Sequence, residues 1–288
     1  MYGGMAALYG CLLSLMNACN ARLSALYGDY SAAVMIHAVG LVVLIPFALS
    51  AWGRPQGKAK WYQYSGGLIG IVTLVFVNIG VNGVGVTGNL VLMLLGQVTA
   101  SALVDHFALL GAKRNPFNSR KGIAIMVMAV GCLAMLILSG ERWGASLAAA
   151  LLSFLSGWSM VLSRMANASL AKTSGTGFST LMNYVTGLTG SLLLFLWLGS
   201  PMLKAFPVPG ASFVIYLGGA LGALGIFLCN VVTPRLPALQ MSLIVFVGQI
   251  FCGMALDALF GQFALGTLVG GLLVAAGMVL NARADRRA

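Results

Sequence analysis

Apolar stretches separated by short polar breaks run the full length of the chain, about ten of them, each near the ~20 residues needed to cross ~30 Å of hydrocarbon. The pattern predicts helical spans at 4–26, 31–52, 64–83, 86–109, 122–140, 145–170, 178–199, 212–232, 237–260 and 263–282. No extended polar segment interrupts them, so the expected class is an all-α polytopic membrane protein with ten transmembrane helices. The first stretch lacks a basic leader, which makes it the first span and not a cleaved signal.

The spans fall into two sets. Asn78, Gly96, Gln97 and Asp105 recur as Asn230, Gly248, Gln249 and Asp257, each pair 152 residues apart without a gap. Tyr64, Gly66, Gly67 and Gly70 match Tyr216, Gly218, Gly219 and Gly222 at the same offset. Earlier positions align at an offset of 147, where Asn20-Ala21-x-Leu23, Gly28 and Gly40 pair with Asn167-Ala168-x-Leu170, Gly175 and Gly187. Glycines alone could match by chance in an apolar chain; an Asn, a Gln and an Asp in one register are harder to dismiss. The reading is two five-helix repeats, residues 1–140 and 145–288. Five is odd, so the second repeat enters the membrane from the opposite face and the halves are inverted. Inverted halves suit alternating access, because exchanging their conformations turns an inward-open path into an outward-open one.

Composition agrees and charge adds orientation. The chain is 60% apolar and 7% charged, with a mean hydropathy of +0.97. If the N-terminus is cytoplasmic, that side holds Arg54, Lys58, Lys60, Lys113, Arg114, Arg120, Lys121, Lys172, Arg235, Arg283, Arg286 and Arg287. The other side holds only Arg22, Arg142 and Lys204. This asymmetry places both termini in the cytoplasm. The net charge of +11 is thus a topology signal, and basic residues scattered over several loops give no nucleic-acid footprint. Cys11, Cys19, Cys132, Cys229 and Cys252 are an odd number inside apolar spans, so they read as small buried residues and not as a disulfide framework. His37 and His106 are too far apart in sequence to suggest a metal site. A phosphate-binding loop, an H-E-x-x-H motif and a Ser/His/Asp arrangement are all missing. The expectation is a non-enzyme without cofactor or metal, whose uphill work would draw on an ion or a second solute.

A few polar residues inside the spans could carry function. Gln97, Ser101 and Asp105 follow one another at i, i+4, i+8 and form a stripe along span four; Gln249 and Asp257 repeat it in span nine. Each Asp lies ~12 Å along the axis from its Gln, which puts the glutamines near mid-membrane and one carboxylate near each mouth. Both carboxylates sit toward helix C-termini, where the macrodipole disfavours them. Lys113 or Arg114 could partner Asp105, whereas Asp257 has no basic residue nearby in sequence. The alternatives are capping or interhelix bonds on one side, gating or proton coupling on the other. Asn78, Asn230, Asn20 and Asn167 could bond across helices or touch solute. Arg164 occupies the repeat position of Asn17 and either snorkels to the interface or lines a cavity and binds an anionic group.

Asn20-Ala-Arg-Leu, the stretch WYQYSGGLIG from Trp61 to Gly70, and Gly96-Gln97 followed after seven residues by Asp105-His106-Phe107 together resemble the YdcZ-like branch of the drug/metabolite transporter superfamily. That branch includes single five-span units and ten-span fusions. The resemblance implies a bacterial inner-membrane exporter with an all-helical inverted-repeat fold. Two departures stand out: glycine commonly follows the Asp-x-aromatic segment, yet Ala108 follows Phe107 here, and the second repeat reads Asp257-Ala258-Leu259. The expected function is secondary transport of a small organic metabolite or drug-like compound, with protons as the candidate coupling ion and the lipid bilayer as surroundings. A passive facilitator or lipid translocator and a non-transport scaffold subunit are the competing readings. A monomer is architecturally sufficient, and a dimer is compatible.

Overall fold

A computed structural model describes residues 1–50, 58–138, 146–198, 212–259 and 265–285, with side chains for all of these but 47–50. Its helices are α1 (Tyr2–Tyr27), α2 (Asp29–Ser50), α3 (Gly66–Val84), α4 (Val86–Phe107), α5 (Ser119–Leu138), α6 (Leu147–Ser174), α7 (Thr176–Leu198), α8 (Gly218–Val232), α9 (Ala238–Leu259) and α10 (Leu265–Asp285). These are the ten expected helices, within a few residues of the expected ends. The basic residues Arg54, Arg142, Lys204, Arg286 and Arg287 used above for orientation lie outside the described residues.

Among the described residues, nine helices are long and apolar enough to cross a membrane. The exception is α1, whose C-terminal half carries Asn17, Asn20 and Arg22. The outer surface of α5 is a stripe of Ile123, Met126, Val130, Leu133 and Ile137, each more than half exposed. Such a stripe suits contact with lipid tails, which are as apolar as leucine.

Local structure repeats with the sequence. Gly28 joins α1 to α2 at φ 79°, and Gly175 joins α6 to α7 at φ 92°, a left-handed backbone that glycine adopts without penalty. Five-residue 3-10 turns lead into α3 (Trp61–Ser65) and α8 (Phe213–Leu217), 152 residues apart. The halves differ before α4 and α9: Gly85 precedes α4, while Pro237 stands at the equivalent position before α9.

Each repeat is threaded through the other. Helix α1 packs along α8 and α9, and its counterpart α6 packs along α3 and α4. Helix α2 lies on α7 and α8, and α5 pairs with α10. Glycines set the closest approaches. A methyl on Gly10 would strike the backbone of Val245 and Gln249, and one on Gly157 would strike Met93 and Gln97. Gly248 sits on Ala7 and Gly96 on Phe154 in the same way. Small residues let helix backbones touch where lipid offers no hydrophobic drive for association. The same pairs of positions meet in both halves with their roles exchanged.

Candidate functional site

Asp105, near the C-terminal end of α4, is 2% exposed. Its carboxylate accepts hydrogen bonds from the backbone N–H of Ala238 (2.7 Å) and Leu239 (2.9 Å). These are the first two residues of α9, so Asp105 caps a helix that begins 133 residues later. The charge is disfavoured by the end of its own helix but stabilised by the N-terminus of the other. Neither Lys113 nor Arg114 is its partner, contrary to the sequence-based expectation.

The surrounding end of the bundle is tied together by polar groups. The backbone carbonyl of Asp105 accepts from Asn115 N (2.8 Å), and the Asn115 side-chain amide donates to Asp285 at 3.1 Å. Lys121, 2% exposed, forms an ion pair with Asp285 at 3.0 Å and donates to Asn115 Oδ1 and Pro116 O. A buried lysine is tolerated only with such partners. The chain leaves α4 through Ala108, which is left-handed at φ 53°. Glycine adopts such a backbone more readily than alanine, which fits the glycine that the resemblance leads one to expect here.

The repeat equivalents of Ala238 and Leu239 are Val86 and Thr87, and the equivalent of Asp105 is Asp257. Here the halves diverge. Asp257 is exposed and makes no hydrogen bond or ion pair among the described residues. The residue before α4 is Gly85, which has no side chain with which to cap the helix. One carboxylate is sealed against a helix start, while its counterpart is open.

Deeper in the bundle, Ser101 of α4 is fully buried and shares a 2.7 Å hydrogen bond with Ser242 of α9. Arg164 of α6 donates from Nη2 to the same Ser242 Oγ. Its side chain is 6% exposed, so it does not snorkel. Ser242 escaped the sequence reading because its repeat equivalent is Leu90 and a lone serine in a span carries no signal. Lys121, counted above with the basic residues of the cytoplasmic side, and Asp285 carry no local signal of their pairing either.

The remaining candidates lie elsewhere. Gln97 and Gln249 occupy the equivalent glycine crossings, α4 on α6 and α9 on α1. The Asn78 amide donates to Asp29 at the start of α2 (3.0 Å), and that of Asn230 to Thr180 near the start of α7 (3.1 Å). Asn167 donates to Asn183 (2.8 Å) and lies against Gly66, as Asn20 lies against Gly218. Asn78, Asn167 and Asn230 thus bond across helices, whereas Asn20 Oδ1 is buried without a hydrogen bond. The structure therefore brings together Ser101, Asp105 and Arg164 around α9 and leaves Asp257 at the far end of that helix.

A family model described as "Putative inner membrane exporter, YdcZ" matches residues 1–134 and again residues 148–280. A solved crystal structure superposes with a TM-score of 0.73 at 14% identity, covering 99% of this chain and 96% of its own. At that identity the likeness is one of fold. No curated protein matches the chain.

Proposed function

The chain belongs to the YdcZ family of inner-membrane exporters, and from that premise we propose that it is a secondary transporter which moves a small organic solute outward by alternating access between inverted repeats, residues 1–140 and 145–288. Both termini face the cytoplasm on this reading, since the basic loops and tail collect on that side. The α4 C-terminus, the α9 N-terminus and the Lys121–Asp285 pair then form the cytoplasmic end.

The observation that carries the proposal is the unequal state of two equivalent carboxylates. Asp105 bonds to the amides of Ala238 and Leu239, which closes the cytoplasmic ends of α4 and α9 on each other. Asp257 faces the outer mouth and has no such bond. Exchanging the conformations of the halves would release Asp105 and bring Asp257 to the amides of Val86 and Thr87. Two latches at opposite ends, of which one is closed at a time, are what alternating access requires. Protons are the proposed coupling ion, because neutralising a carboxylate weakens its hold on a helix N-terminus. Gln97 and Gln249, at the crossings between the two latches, are the proposed pivots along the path.

The test compares solutes inside and outside cells expressing the wild type, Asp105→Asn or Asp257→Asn. The expected result is a compound that accumulates outside against its gradient only with the wild type. Unchanged uphill export in both variants would remove the coupling role of the carboxylates. Identical solute profiles with and without the protein would remove the transport reading.

A further inference from the structure

We infer that Arg164 is the anchor of a solute site that holds a small organic monocarboxylate with an apolar body; the assignment rests on the transport reading above and names its substrate class. Arg164 lies 10 residues from the end of α6, about 15 Å along the axis, and is 6% exposed. It is therefore a charge inside the membrane-spanning bundle and away from water. Its Nη2 reaches the neutral hydroxyl of Ser242, and its Nε is buried without an acceptor. Among the described residues no carboxylate pairs with it. Asp105 is committed to the start of α9 and Asp285 to Lys121.

A buried guanidinium without a counter-charge is costly, and within a membrane such a residue marks a substrate path. A serine hydroxyl cannot neutralise it. The missing partner is an oxyanion, which the planar fork of arginine accepts through two parallel bonds. The site has the placement of a transporter site, at the interface of the repeats. Ser101 and Ser242 come from α4 and α9.

Charge and surface narrow the ligand. One cation with hydroxyl neighbours balances one negative charge, which favours a carboxylate over a doubly charged phosphate. On α6 the flanking residues Val161 and Met165 are buried against Ala100, Val104 and Ala238, so the remainder of the solute would meet apolar side chains. Beyond Met165 lies a narrow crevice of about 10 Å³, bordered by Lys113, Lys172 and Ala238. A basic mouth raises the local concentration of an anion.

The experiment measures thermal unfolding of the purified full chain in detergent with benzoate, butyrate, inorganic phosphate, phosphatidylglycerol or tetraethylammonium at matched ionic strength. Benzoate and butyrate should raise the wild-type melting temperature saturably. Arg164→Lys should weaken their apparent affinity at least tenfold, because a point charge replaces the fork. Arg164→Met should abolish the shift, yet melt above the wild type when no anion is present, since it removes an uncompensated charge. The assignment is overturned if neither carboxylate stabilises the wild type, or if only phosphate, phosphatidylglycerol or tetraethylammonium does. It is equally overturned if Arg164→Met fails to fold or melts below the wild type, because the arginine would then be structural. Carboxylate binding without solute export would remove the transport reading and keep the site. Export of an uncharged or cationic solute that Arg164→Met leaves unchanged would do the reverse.

Discussion

Ala108 holds a left-handed backbone at φ 53°, and Leu110 does so again two residues later at φ 52°. A residue with a Cβ gives up roughly 1–2 kcal/mol there, and glycine's larger unfolded-state entropy recovers part of that difference. Ala108→Gly should accordingly stabilise the protein by about 0.5–1 kcal/mol, read as a higher thermal midpoint. Ala108→Val should lower it, and equal midpoints for the two variants would mean that this turn does not hold the strained geometry. The departure from the family pattern was legible in the sequence, but its backbone cause was not. Asp105 behaves similarly. Its stripe position with Gln97 and Ser101 could be read directly, and so could the choice between a cap and a gate. Its partner could not, because backbone amides 133 residues away have no side-chain signature.

Ten apolar segments fixed ten helices, since a backbone in hydrocarbon must satisfy its hydrogen bonds within the helix. What the pattern did not fix is which helices touch. The repeated glycines signalled close packing, yet only the structure pairs Gly10 with Val245 and Gln249, and Gly157 with Met93 and Gln97. At both crossings the opposing atoms include backbone, which cannot move aside as a flexible side chain would. Gly10→Leu and Gly157→Leu should each destabilise by at least the ~1–3 kcal/mol typical of overpacking. The two losses should be of similar size, since the crossings are equivalent. Thermal unfolding of both variants checks this, and a tolerated leucine at either site would show that the crossing is looser than its geometry.

In the molecule as a whole Asp105 is bound to the start of α9 while its repeat equivalent Asp257 is exposed, and the proposed alternation makes a specific statement about the other state. With the five native cysteines replaced by alanine, a disulfide between Asp257→Cys and Thr87→Cys should form readily only when Asp105→Asn has released the α9 start. Equal cross-linking with Asp105 intact would mean that the two ends do not alternate. By itself the sequence determined the fold class and the family resemblance, because hydrocarbon thickness and backbone hydrogen bonding leave an apolar chain few options. It also supplied Asp105, Ser101 and Arg164 as candidates, since polar residues in a span are few enough to notice. Only the tertiary structure decided that Asp105 caps α9, that Lys121 is buried on Asp285, and that among the described residues Arg164 has a serine and no carboxylate beside it. Each of these depends on a partner from a distant helix, and interhelix distances follow from how side chains pack in three dimensions, which no local pattern along the chain encodes.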